Sequence, residues 1–193
     1  MRLFLGITGA SGSIYGLRLL EELLRAGHQV TLVASQSGLE VCRYETGVDL
    51  GDSEAMKQLW NLPDAPVTIR NVTDLWAPEA SGSAAPDTMV IAPCSMGTVG
   101  RIAAGISGNL IERAADVMLK ENRPLLLLPR ETPFSTIHLE NLLKLSRCGA
   151  RIIPAMPAFY QKPESLDDLV NFVVGKLLDQ LGVEHQLFRR WGA

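Results

Sequence analysis

The chain has 193 residues, close to one domain at about 150 residues per domain, and a chain of this size can bury a full core without disulfide or metal staples. A formal net charge of −3, with 47% hydrophobic and 20% charged residues, excludes a sequence-independent nucleic-acid binder. No stretch approaches the roughly 18 unbroken apolar residues of a membrane span, and Cys42, Cys94 and Cys148, with no metal-ligand spacing and one necessarily unpaired, point to a reducing, cytoplasmic compartment.

The N-terminus enters a strand directly, without the apolar h-region or Ala-x-Ala site of a secretory leader. Leu3 to Thr8 is an apolar run ending in glycines, which suits a strand buried on both faces. Ile14, Leu17, Leu20, Leu23 and Leu24 recur at helical spacing, with Gly27 as the stop. Val30 to Ala34 reads as the second strand and Ser37 to Tyr44 as a short helix. Gly47 to Ala85 is the least regular stretch, with a helix at Glu54–Trp60, a short strand at Val67–Ile69 and a loop rich in Ala, Ser, Gly and Pro. Thr88 to Ala92 is another buried strand, followed by a Pro93-Cys94-Ser95 turn. Asn109 caps a helix through Ile111, Ala114, Ala115, Met118 and Leu119. Leu125 to Leu128 is a strand between two prolines, Leu139, Leu142, Leu143 and Leu145 mark a helix, and Ile152-Ile153 a last short strand. Ser165 caps a final helix with Leu169, Phe172, Val173, Leu177 and Leu181 on its apolar face.

Strand–helix alternation with short connections predicts a single-domain α/β fold over 1–193, doubly wound around a mainly parallel sheet. In such sheets ligands sit beyond the carboxyl ends of the strands, so the chemistry belongs to the loops after the apolar runs. The first is Gly6-Ile7-Thr8-Gly9-Ala10-Ser11-Gly12-Ser13, whose small residues let backbone approach a phosphate at a helix N-terminus. It lacks the Gly-x-Gly-x-x-Gly spacing of dinucleotide sites. It is similar to the Thr-Gly-x-x-Gly of short-chain dehydrogenases, but none of Tyr15, Tyr44 or Tyr160 is followed four residues on by the lysine those enzymes need. A tight turn without a ligand is the plain alternative. The second loop, Pro93-Cys94-Ser95-Met96-Gly97-Thr98, offers two hydroxyls and a glycine to a polar ring edge or a phosphate. Cys94, after an apolar strand and far from any histidine, reads as a buried structural thiol rather than a nucleophile. The third, Pro129-Arg130-Glu131-Thr132-Pro133, sets an anion-binding Arg beside a proton-transferring Glu, or else a structural ion pair at the sheet edge. His28, His138 and His185 have no metal spacing, so neither a catalytic histidine nor a zinc site is expected.

Taken together, Thr8-Gly9-Ala10-Ser11-Gly12, Pro93-Cys94-Ser95, Asn109-Leu110-Ile111-Glu112-Arg113-Ala114-Ala115-Asp116, Pro129-Arg130-Glu131-Thr132-Pro133, Pro157-Ala158-Phe159-Tyr160 and Arg190-Trp191-Gly192 resemble the flavin prenyltransferases of the UbiX family, nearly end to end. The resemblance implies a Rossmann- or flavodoxin-like flavoprotein fold. It implies an enzyme that joins a dimethylallyl group from dimethylallyl monophosphate to reduced FMN without a metal, releasing phosphate. The product is the cofactor of UbiD-type decarboxylases. By the same resemblance, Gly9, Ala10, Ser11, Ser35, Ser95, Met96, Gly97, Thr98 and Arg130 bind FMN, with Ser11 close to the reacting edge. Tyr160 and Lys176 grip the allyl phosphate, Arg113 and Lys120 add positive charge, and Trp76 and Trp191 line the prenyl pocket. Many members carry Arg where this chain has Lys176, and a lysine offers a point charge instead of a bidentate fork. Glu45 and Glu131 match acidic active-site positions, Glu131 as the proton relay. Family members form large homo-oligomers with active sites at subunit contacts, a role expected here of the tail at about 183–193.

A flavin-dependent cysteine decarboxylase would place a histidine between the middle strands, and residues 45–92 contain none. A non-catalytic flavin-binding subunit of an aromatic acid decarboxylase would look alike apart from losses among Glu131, Tyr160 and Lys176, all of which hold chemically capable residues.

Overall fold

A computed structural model describes residues 1–192. The chain runs β1 (Arg2–Ile7), α1 (Ser13–Arg25), β2 (Gln29–Ala34), α2 (Gln36–Thr46), α3 (Ser53–Leu59), β3 (Val67–Arg70), β4 (Thr88–Cys94), α4 (Met96–Ala103), α5 (Leu110–Lys120), β5 (Leu125–Pro129), α6 (Thr136–Arg147), β6 (Arg151–Ile152) and α7 (Leu166–Leu181), with 3-10 turns at Pro78–Ala80 and Gly82–Ala84.

The sheet order is β3-β2-β1-β4-β5-β6, and every paired register is parallel. That order is the Rossmann arrangement, not the flavodoxin-like one, and it puts the topological switch between β1 and β4. Alternate residues of β1 serve opposite faces, as the pleat requires. Leu3, Leu5 and Ile7 pack with Leu19, Leu20 and Leu23 of α1 and with Val173, Val174 and Leu177 of α7. Phe4 joins Met89 and Ile91 of β4 and Ile111, Ala114 and Met118 of α5 on the other face. The sheet is therefore buried on both sides, which explains the unbroken apolar runs at Leu3–Thr8 and Leu125–Leu128.

The structure corrects two sequence expectations. Pro93 and Cys94 belong to β4, which pairs Cys94 with Pro129 after a register irregularity, so only Ser95 leaves the strand. A helix, α4, comes at once, where the sequence reading has none, although Met96, Val99, Ile102 and Ala103 do recur at helical spacing. These four are buried against neighbouring helices, but eight residues with two glycines give a short periodic pattern that is easily passed over. Helix α6, marked in the sequence by Leu139, Leu142, Leu143 and Leu145, starts at Thr136 behind a Ser135 capping box and buries only Leu145, leaving Leu139 and Leu143 exposed. The start of the tail packs on its own chain: Val183 is buried, and Phe188 and His185 lie so close to α7 that a Cβ on Gly175 would meet them at 2.5 and 2.7 Å. Residue 193 lies outside the described residues.

Candidate active site

The loops after β1, β4 and β5 are stitched together by hydrogen bonds. Thr8 donates through its backbone N–H (3.2 Å) and its Oγ1 (3.0 Å) to the Pro93 carbonyl, and its Oγ1 accepts the Ser95 N–H at 2.8 Å. Arg130 Nε donates to the Ser11 carbonyl at 3.0 Å. Gly9 sits where a Cβ would lie 2.3 Å from Ser37 Oγ, so the first loop touches the start of α2 with no room for a side chain. Ser35, at the end of β2, caps α2 by accepting the Gly38 N–H at 3.0 Å. The loops and helix starts that carry Gly9, Ala10, Ser11, Ser35, Ser95, Met96, Gly97, Thr98, Arg130 and Glu131 thereby meet at the carboxyl ends of β1, β2, β4 and β5, around the switch point.

Gly12 adopts φ 105°, a left-handed conformation open to glycine, and turns the first N–H groups of α1 toward α2. The carboxylate of Glu45, at the end of α2, receives them: Oε2 accepts from Gly12 at 3.0 Å and from Ser13 at 2.9 Å. The anion at this helix N-terminus is thus the chain's own, which corrects the expectation that α1 offers its end to a ligand phosphate. Desolvation pushes the Glu45 carboxyl up, but hydrogen bonds from the Ser11 hydroxyl and the Ser13 and Gly12 amides outweigh it and hold it below the ordinary value. Glu131 accepts the Thr132 N–H at 3.0 Å and is half-buried beside Arg130. The first turn of α4 presents unpaired N–H groups of its own, with Ser95 as cap. Cys94 is fully buried, and burial pushes its thiol up to about 12, so it is a structural thiol.

A second group lies on the α7 side. Tyr160 stacks edge-on against Trp191 at 5.2 Å and Phe172 at 5.9 Å, and Lys176 Nζ sits 5.3 Å from the Phe188 ring centre and 5.6 Å from that of Phe172. A cavity of about 460 Å³ opens here, lined by Tyr160, Gln161, Lys162, Arg189, Arg190, Trp191 and Gly192. Arg113 and Lys120 are not part of it. They ride on α5, across the sheet, with Arg113 bound to the Ala80 carbonyl and Asp116 and Lys120 to Glu121. Trp76, in the loop beyond β3, is 98% exposed. One chain therefore brings together the flavin-side residues and, separately, Tyr160, Lys176 and Trp191, but not Trp76, Arg113 and Lys120. Sequence reasoning missed Thr8, whose clip joins two loops, and Phe188, whose ring meets Lys176. A hydroxyl at the end of an apolar run is a signal for Thr8; nothing local marks Phe188. Among the described residues, no group of three His, Cys, Asp or Glu side chains is placed to hold a metal.

A parallel 3-2-1-4-5-6 sheet with a small-residue crevice at its switch point defines a nucleotide- or flavin-binding α/β protein, and residues 1–178 match the family model described as Flavoprotein. The chain is 54% identical to the flavin prenyltransferase UbiX of Halalkalibacterium halodurans, over 97% of this chain and 91% of that protein. Among solved structures, the dodecameric FMN-dependent Ubix-like decarboxylase of Escherichia coli O157:H7 superposes with a TM-score of 0.91 at 44% identity, covering 100% of both chains. AnUbiX (PadA1), solved with FMN and dimethylallyl pyrophosphate, gives 0.91 at 40% identity over 100% of this chain and 97% of that one. The chain belongs to the flavin prenyltransferase UbiX family of flavoproteins.

Proposed function

We propose that this enzyme joins a dimethylallyl group from dimethylallyl monophosphate to reduced FMN, releases phosphate, and supplies the product to a UbiD-type decarboxylase in the cytoplasm. The observation that carries the reading is the meeting of the loops bearing Ser11, Ser95, Arg130 and Glu131 at the carboxyl ends of β1, β4 and β5, in a chain with near-full-length flavin prenyltransferase relatives. A flavin fits the donor set. Gly9 lets the first loop close on Ser37 of α2, the start of α4 supplies N–H donors, and Arg130 supplies a fixed cation. Reduced FMN, when bound, supplies the nucleophilic ring to which the allylic carbon is joined.

The chain's own residues then have separable tasks. Gly9, Ala10 and Ser35 shape the crevice, while Ser95, Met96, Gly97, Thr98 and Arg130 hold the flavin. Glu45 fixes Ser11 at the reacting edge through the hydrogen bonds described above. Loss of phosphate leaves positive charge on the prenyl carbons, which the faces of Trp76 and Trp191 stabilise. Arg113, Lys120, Tyr160 and Lys176 stabilise the departing phosphate, and Glu131 takes the proton released at ring closure. The sheet separates Arg113 and Lys120 from Tyr160 and Lys176, so more than one copy builds the donor pocket, in keeping with the dodecameric relative.

The test is anaerobic incubation of the purified chain with reduced FMN and dimethylallyl monophosphate, with the pyrophosphate in parallel, and then mass spectrometry of the released flavin. A gain of one prenyl unit with the monophosphate is the expected result. A flavin that co-purifies but stays unmodified with both donors would turn the reading to a flavin-binding accessory subunit.

A further inference from the structure

Beside Ser95 lies an ion pair between a buried carboxylate and a half-exposed guanidinium that the reaction above leaves without a task. Glu112, on α5, is 2% exposed, accepts the Gly108 N–H at 2.9 Å through Oε2 and pairs through Oε1 with Arg101 Nε. Arg101, on α4 and half-exposed, extends Nη2 to Thr98 Oγ1 at 3.4 Å. Thr98, 3% exposed, brings that oxygen to 3.1 Å from Ser95 Oγ.

Counting protons along this row gives it a direction. A guanidinium only donates, so Thr98 Oγ1 accepts from Arg101. The Thr98 hydroxyl proton goes to Ser95 Oγ, because an unpaired buried hydroxyl is costly. Ser95 Oγ also accepts the Thr98 N–H, at 3.3 Å. With both acceptor positions filled, the Ser95 hydroxyl proton must leave the row, and the open side is the crevice at the ends of β1 and β4.

We propose that Arg101 and Glu112 are positioning residues which, acting through Thr98, make the Ser95 hydroxyl a fixed hydrogen-bond donor to an acceptor atom of the bound flavin. The proposal rests on the flavin reading of this crevice. A fixed donor favours the electron-rich reduced flavin over the oxidised form, and the reduced form is the one the transfer consumes. Without Arg101 the two hydroxyls can exchange roles, and Ser95 points its proton at Thr98 part of the time.

The experiment is titration of FMN into the full chain, read by fluorescence, together with the midpoint potential of the bound flavin. Arg101→Met and Thr98→Val should each weaken FMN binding by about three- to tenfold and move the potential in the negative direction. Thr98→Ser, which keeps the hydroxyl, should preserve both values. The double variant should match the stronger single variant, since both changes act through one oxygen. Unchanged affinity and potential in Arg101→Met would overturn the proposal. So would a Thr98→Ser as impaired as Thr98→Val, or additive effects in the double variant. A wild-type chain that binds no FMN would remove the flavin reading itself, whereas normal wild-type binding with an inert Arg101→Met removes only the positioning role.

Discussion

The two halves of the site are built differently. The loops proposed to hold the flavin are tied together within one chain: Thr8 clips the β1 loop to the β4 loop, Arg130 clips the β5 loop to Ser11, and Glu45 anchors the start of α1. The donor side is open and divided. Tyr160, Lys176 and Trp191 cluster on the α7 face, Arg113 and Lys120 ride on α5 across the sheet, and Trp76 and Trp191 are 98% and 83% exposed. A binding crevice can thus be fixed by strand ends and local hydrogen bonds, while a site for an apolar prenyl group needs walls that one thin chain does not supply. Two indole rings left in water are costly unless something covers them.

Four changes bear on this contrast, in descending order of effect. On the flavin side, Glu131→Gln removes the proton acceptor and should lower the prenylation rate by about a hundredfold or more while FMN still binds, measured by single-turnover mass spectrometry under anaerobic conditions. An unchanged rate would take Glu131 out of the proton transfer. Gly9→Ala drives a Cβ to 2.3 Å from Ser37 Oγ, and should cost about 1–3 kcal/mol of stability in urea unfolding and weaken FMN binding. Adding Ser37→Gly should recover much of that loss. On the donor side, Lys176→Ala should raise the KM for dimethylallyl monophosphate by about tenfold with FMN affinity unaltered, and Lys176→Arg should lower it below wild type. A change in FMN affinity instead would mean the two halves are not separable. The smallest effect belongs to Glu45→Gln, about 1 kcal/mol as for loss of a helix cap. Because the folded-state carboxyl lies below its ordinary value, its stabilisation is full above the unfolded-state value and is lost as pH falls through the lower, folded one. Wild type should therefore lose stability on acidification more steeply than Glu45→Gln, read from melting temperatures between neutral pH and pH 3.

The strands, the long helices α1, α5 and α7, and the crevice loops are legible in the sequence because each is a local matter. Buried parallel strands read as apolar runs, amphipathic helices as 3.6-residue periods, and ligand loops as the small-residue segments at strand ends. Asn109 and Ser165 are recognisable as caps from their residue type alone, and both accept the expected N–H. Helix α4 is easily passed over because it has only eight residues with two glycines among them, although its Met96, Val99, Ile102 and Ala103 keep the helical period. The leucines of α6 mark the helix in the sequence but not which side is buried, since Leu139 and Leu143 are exposed and Leu145 is not.

Composition, strand pattern and motif order are enough to fix the fold class and the membership in a flavin prenyltransferase family, since those depend on which residues are neighbours along the chain. Packing in three dimensions settles the rest: a Rossmann rather than flavodoxin strand order, the Glu45 carboxylate occupying the α1 N-terminus, the Glu112–Arg101–Thr98–Ser95 row, and the division of the donor residues between two faces of the sheet. The strand order, the Glu45 contact and the division of the donor residues join parts far apart in the chain, and the row links α4 to α5 through side-chain directions; none of these is set until the elements have chosen their neighbours.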